Sequence, residues 1–376
     1  MREYLLVFAV AGVVSYLLCV VARELATRTG ATARVRERDV HDTPIPYFGG
    51  IAMLGGLGAG LLVARQLPFL STQPQVLHDA GIVLIAGALI CVVGAFDDLF
   101  ELDAITKFGG QLVAVGFMVL NGVQFYSINI PGVGQLSLVP SQAVLLTIIL
   151  VAGTVNALNF VDGLDGLAGG ISLIGAIAFF LFCYQLAYNN GETLAITAAL
   201  LCATMGGACA GFLPHNFSPA RIFMGDSGSM LLGLVLSGAA LTLTGQFANV
   251  KLQGSGLFPA SFLPTLLPFL LPLSILMIPL LDLVLAVVRR TRRGQAFYHP
   301  DKEHLHHRLL QIGHSQRRAV VIMWMWAALI AFGAVGVSLY SGPLLWSGIV
   351  VAFAGVAVTT WVLPRIKREE KPAGTA

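Results

Sequence analysis

NALNFVDGLDGLAGG, residues 156–170, breaks the chain between two runs too apolar to be anything but membrane spans. Asp162 and Asp165 stand three apart, each followed by a glycine, where the chain leaves lipid. Gly166 and a fresh apolar run follow at once, so the pair lies at or near a helix start, whose free backbone N–H groups can hold an anion. Carboxylates beside such amides make a phosphate and metal setting. Asp and Gly also serve plain turn chemistry, and on this stretch alone a polar turn competes with that reading.

Composition supports the membrane context. The 376 residues are 56% hydrophobic and 11% charged, with a mean hydropathy of +0.82, which excludes a soluble globular protein. Cys19, Cys91, Cys183, Cys202 and Cys209 all fall inside apolar runs without metal-ligand spacing, so no disulfide framework is expected. The first apolar run is followed by ARELATRTG rather than a small-residue cleavage site, and reads as a retained span.

Apolar runs long enough to cross about 30 Å of hydrocarbon lie at 4–24, 47–64, 79–96, 107–121, 141–159, 167–187, 192–213, 227–245, 263–288, 319–340 and 342–363. Such a pattern predicts an all-α, polytopic membrane bundle of about 11 transmembrane helices. With that count, all of the 22 Lys and Arg except Arg2, Arg65 and Lys251 fall on one side. Basic loops are retained in the cytoplasm, so the N-terminus is expected outside, the C-terminus inside, and the protein in the plasma membrane. Residues 1–364 are expected to form one catalytic domain and 365–376 a short disordered tail. Of the external loops, VQFYSINIPGVGQLSLVP alternates enough for a short hairpin.

The basic side also collects the polar motifs, which argues for an active site at the cytoplasmic surface. Asp97 and Asp98 close the third span; like charges at a low-dielectric edge are costly unless a cation neutralises them. Mg2+ suits such a site, binding through one or two carboxylates plus substrate phosphates. A solvated helix end is the plainer alternative. Asp226, in FMGDSGSM, has small and hydroxyl neighbours that allow close approach of a phosphate, or is simply a helix cap. Phe223 offers an aromatic face to a nucleobase, though a packed Phe is the ordinary case. His304, His306 and His307 sit among Lys302, Arg308, Arg317 and Arg318, so an anion suits them better than a metal. Membrane lipid is the alternative anion. His41 is a weak signal, and Asp282 is an intramembrane acid without an assigned role.

Taken together, Pro46 with Gly49 and Gly50, Asp97–Asp98, NALNFVDGLDGLAGG, NFSPARIFMGDSGS and PDKEHLHHRL resemble the polyprenyl-phosphate N-acetylhexosamine-1-phosphate transferases along nearly the whole chain. Its histidine loop is similar to the branch that uses UDP-N-acetylglucosamine, and several stretches look most like actinobacterial members. The resemblance implies transfer of N-acetylglucosamine-1-phosphate from UDP-N-acetylglucosamine to undecaprenyl or decaprenyl phosphate, releasing UMP. This would be the first membrane step of a cell-envelope polysaccharide such as arabinogalactan, teichoic acid or O-antigen lipopolysaccharide. Another UDP-N-acetylhexosamine, or UDP-muramoyl-pentapeptide, is the alternative donor.

By the same resemblance Asp97, Asp98, Asp162 and Asp165 are catalytic, and Asp226 with Asp98 holds Mg2+, or Mn2+ in its place. Asn159, Asn216, Phe223, Lys107, His304, His306, His307 and Arg308 are substrate-binding positions. The lipid bilayer is an expected partner, a homodimer is the expected assembly, and nucleic acid is not a partner. A transporter is the rival class, but it predicts acids near the midplane and repeated halves, neither of which the sequence shows. CDP-alcohol phosphotransferases follow Asp-Gly with Ala-Arg, whereas Leu164 and Asp165 follow here.

Overall fold

The computed structural model describes residues 1–33, 44–130, 134–190, 193–244, 291, 314–340 and 342–361. Among these, the helices are α1 (Arg2–Thr29), α2 (Gly49–Ala64), α3 (Pro68–Ser71), α4 (Pro74–Phe100), α5 (Ala104–Leu120), α6 (Pro140–Val161), α7 (Leu167–Asn190), α8 (Leu194–Asn216), α9 (Gly225–Thr244), α10 (Gln316–Leu339) and α11 (Pro343–Trp361). Eight of them are long and apolar enough to cross a membrane, while α2 and α5 are apolar but shorter. The chain is therefore a polytopic helical membrane protein. The expected span at 263–288, Asp282, His41, the histidine loop and the tail at 365–376 lie outside the described residues.

Local chemistry sets the boundaries. Proline opens α3, α4 and α6, where its missing N–H costs nothing and its fixed φ suits the first turn. Because α4 starts at Pro74, His78 and Asp79 belong to its first turns rather than to an external loop. Between α5 and α6, strands β1 (Ser127–Ile130) and β2 (Gly134–Ser137) pair antiparallel, as the alternation of that loop predicts.

Helices α8 and α9 form the buried centre, while α1 and α11 are largely exposed on the outside of the bundle. Small residues let the central helices approach closely, as expected where lipid leaves van der Waals packing to drive association. Gly207 and Gly211 of α8 lie against the backbone of Phe8 and Gly12 on α1, with no room for a β-carbon. Ser15 adds a buried hydrogen bond to the carbonyl of Ala208 at 2.9 Å. This packing brings the ends of α4, α6 and α8 and the starts of α2, α5, α7 and α9 together at one end of the bundle.

Candidate active site

At that end α4 terminates on Glu101, whose left-handed φ of 50° turns the chain and whose N–H bonds to the carbonyl of Asp97. Asp103 then caps α5 by accepting from the amides of Ile105 and Thr106, both at 2.9 Å. This sharp reversal carries Lys107 back over the end of α4. Its amine donates to Asp97 Oδ2 at 3.1 Å, while Asp97 Oδ1 takes the amide of Leu102 at 2.9 Å. The Lys107 amine also pairs with Oδ2 of Asp226.

Asp226 lies in the first turn of α9, which is held from three sides. Asp98 accepts the amides of Asp226 at 2.8 Å and Ser227 at 3.3 Å, satisfying two donors that a helix start leaves free. Gly94 of α4 and Gly50 of α2 press against the Asp226–Gly228 backbone, where a β-carbon on either would collide with main chain. The PYFGG stretch is stitched to the segment before α9. Phe223 N donates to Pro46 O at 2.8 Å, Gly49 N to Phe223 O at 3.0 Å and Gly50 N to Met224 O at 3.1 Å. From α6, Asn159 donates to Asp226 Oδ1 at 2.8 Å and to Ser229 Oγ at 2.9 Å. The two oxygens of Asp226 are thus gripped by different helices, Oδ1 from α6 and Oδ2 from α5.

The DGLDG turn completes the cluster. Asp165 is 4% exposed and accepts the amide of Ala220 at 3.0 Å. Asn216, 2% exposed, accepts from Gly166 N at 2.9 Å and donates to Ile222 O at 3.0 Å. These two side chains therefore brace the turn and the 217–222 segment against each other. Gly166 takes a φ of 78°, a conformation that glycine adopts without strain. Asp162, the residue after α6, is half-buried and accepts no hydrogen bond among the described residues. Burial, then the nearby charges of Asp98 and Asp165, push its carboxyl up to about 7.

Five of the expected acids, Asp97, Asp98, Asp162, Asp165 and Asp226, thus share one end of the bundle with Lys107, Asn159 and Asn216. Phe223 is half-buried there, its ring centroid 6.1 Å from that of Tyr47. His304, His306, His307 and Arg308 lie outside the described residues. No group of three His, Cys, Asp or Glu side chains converges as a metal cage among the described residues. The donors nonetheless fit a hard divalent ion that shares its shell with substrate phosphates. Oxygens of Asp97 and Asp226 already gather about one cationic group, and Asp162 lacks any donor among the described residues.

Ser229, one of the hydroxyl neighbours of Asp226, shares the Asn159 amide, and Arg317 of the basic cluster donates to the carbonyl of Ser218 at 2.7 Å. Trp324 of α10 escaped the motif reading: it covers Gly166 and Gly170, 5.4 Å from the Phe217 ring, a contact that arises only from helix packing.

Residues 80–244, from α4 through α9, match the model of glycosyl transferase family 4. The decaprenyl-phosphate N-acetylglucosaminephosphotransferase of Mycobacterium tuberculosis is 43% identical over 371 residues, covering 98% of this chain and 90% of that protein. A probable undecaprenyl-phosphate N-acetylglucosaminyl 1-phosphate transferase of Bacillus subtilis is 30% identical over 333 residues, 89% of this chain and 84% of the relative. The phospho-N-acetylmuramoyl-pentapeptide-transferase of Mycobacterium bovis is also 30% identical, over 381 residues, 92% of this chain and 99% of the relative.

Proposed function

The chain belongs to glycosyl transferase family 4, among its polyprenyl-phosphate N-acetylhexosamine-1-phosphate transferases, and on that premise we propose that it transfers N-acetylglucosamine-1-phosphate from UDP-N-acetylglucosamine to a polyprenyl phosphate. The products are polyprenyl-pyrophosphoryl-N-acetylglucosamine and UMP. Similarity to the N-acetylglucosamine enzyme at 43%, against 30% for the muramoyl-pentapeptide enzyme, supports the donor. The asymmetry of Lys and Arg supports a cytoplasmic site.

The observation that carries the reading is the single Lys107 amine paired with both Asp97 and Asp226, while Asn159 holds the other oxygen of Asp226. An acceptor phosphate carries much of its second charge at pH 7, because its second pKa is near 6. A general base therefore adds little, and direct attack is favoured over a covalent Asp intermediate. An acceptor oxygen forms a bond to the donor's β-phosphorus, the bond from that phosphorus to the bridging oxygen breaks, and UMP leaves with that oxygen. Lys107 neutralises and orients the acceptor phosphate, and Asp97 holds Lys107 in place. Asp98 fixes the backbone of α9 so that Asp226 faces the same space. Asp226 and Asp98 would hold Mg2+, or Mn2+ in its place, which would supply charge neutralisation for the pyrophosphate. Asp162 stands next to this charge, while Asp165 and Asn216 shape the turn that faces the nucleotide. His304, His306, His307 and Arg308 hold the donor's sugar and phosphates, with Phe223 beside the base.

UMP release by the purified protein tests the reaction, with polyprenyl phosphate, Mg2+ and a panel of UDP-N-acetylglucosamine, UDP-N-acetylgalactosamine or UDP-muramoyl-pentapeptide. Release with the first donor alone, dependent on lipid and metal, is expected. Release only with another donor overturns the substrate, and no release with any donor overturns the reaction.

A further inference from the structure

An amide pair, buried Gln111 and half-buried Asn156, lies one helical turn below the acid cluster. Gln111 follows Lys107 by four positions on α5, and Asn156 precedes Asn159 by three on α6, so each shares a helix face with a site residue. Asn156 Nδ2 donates to Gln111 Oε1 at 2.8 Å and to the carbonyl of Ala152 at 2.8 Å, and Gln111 Nε2 donates back to Asn156 Oδ1 at 3.4 Å. Gln111 is 1% exposed and is the one polar side chain among the buried residues of α5, the others being Ala114, Val115 and Met118. An amide at this depth is costly unless bonded. The pair therefore pins α5 to α6 in one register, which the exposed apolar face of α5 at Ile105, Val113 and Leu120 does not specify.

These contacts close a ring. Lys107 and Gln111 are joined through α5, Gln111 and Asn156 through their amides, and Asn156 and Asn159 through α6. Asn159 and Lys107 then meet on the two oxygens of Asp226. A slide of α5 against α6 would move one grip on that carboxylate relative to the other. We propose that Gln111 and Asn156 are positioning residues for transfer, whose amide pair fixes Lys107 and Asn159 on opposite oxygens of Asp226. The catalytic consequence rests on the proposed reaction; the ring of contacts does not.

Interhelical hydrogen bonds in membranes contribute little to stability on average, so removal of the pair is compatible with folding. Gln111→Leu, purified in the same detergent as the parent, is expected to lose about ten- to hundredfold in kcat, since small misplacements cost that much. Its KM for UDP-N-acetylglucosamine stays within about twofold, because the donor contacts lie elsewhere. Gln111→Asn alone shortens the reach and lowers kcat, and adding Asn156→Gln restores the pair and most of the activity. Unchanged kcat in Gln111→Leu, or a loss in Gln111→Asn that the exchange does not recover, overturns the inference. Where Gln111→Leu fails to fold, the Gln111→Asn and exchange variants decide alone. If the parent releases UMP from no donor, the reaction has failed separately, and Mn2+ binding to the substrate-free protein reads the ring instead. Several-fold weaker binding in Gln111→Asn, regained in the exchange variant, supports the inference, and equal binding in all three overturns it.

Discussion

Both ends of the bundle place carboxylates against protein, but they use them differently. At the end opposite the acid cluster, Glu3 accepts the amides of Phe69 and Leu70 at 2.9 and 3.0 Å, which caps α3. Asp79 is 8% exposed and takes a hydrogen bond from Gln75 at 2.6 Å, with the His78 ring 3.3 Å away. Each of these acids stands apart and has donors close in sequence or on the helix it caps. At the other end five acids converge with one lysine, and Asp98, Asp165 and Asp226 take donors from segments distant in sequence. Some of those acids still brace backbone, as Asp98 and Asp165 do. Asp162 has no donor among the described residues, and Asp97 and Asp226 share a single amine. An acid matched by local donors serves the scaffold, and on the proposed function the negative charge in excess of Lys107 is the place for a cation and an anionic substrate.

The contrast breaks most sharply at Asp226. Asp226→Asn is expected to lower transfer by at least about a thousandfold, as loss of an electrostatic anchor does, while the protein stays folded in detergent. UMP release at matched protein concentration checks it. Lys107→Met comes next, with an expected loss of about a hundredfold, read as kcat against polyprenyl phosphate concentration. A donor KM that rises while kcat holds would move Lys107 from the acceptor to the nucleotide.

Asp162 sharpens the contrast through pH. Its folded pKa of about 7 lies above its ordinary value of 3.8, so between these values the folded state holds more protons than the unfolded one. Stability of the metal-free protein therefore falls as pH rises from about 4 to about 7, and levels off above. The slope of melting temperature against pH is expected to lessen in Asp162→Asn. At the opposite end the effects are smallest. Glu3→Gln and Asp79→Asn are expected to leave transfer within about twofold and to lower the melting temperature by about 2–4 °C, the shift that a loss near 1 kcal/mol produces. A tenfold fall in transfer in either variant would break the comparison.

Much of this was legible in the sequence because lipid permits few structures. Ten of the apolar runs correspond to helices among the described residues, and the 263–288 run lies outside them. Paired acids followed by glycine or lying at span ends marked the site, since charge is rare where hydrocarbon begins. The third apolar run begins at 79, whereas α4 opens five residues earlier at Pro74, because Gln75 and His78 satisfy Asp79 from within the helix. Gln111 and Asn156 gave no signal because neutral amides in apolar runs have meaning only once two helices are aligned. Gly50 stood in the motif with Pro46 and Gly49 and Gly94 gave no signal, while the contacts of both with the start of α9 depend on a crossing that no local pattern encodes.

Divalent-cation binding to the substrate-free protein tests most directly whether the acid cluster is a site in want of a cation. Electron paramagnetic resonance of Mn2+ would be followed in the parent, Asp226→Asn and Asp79→Asn proteins. One site of like affinity in the parent and Asp79→Asn, lost in Asp226→Asn, is the predicted result. Undiminished Mn2+ binding in Asp226→Asn would contradict the account.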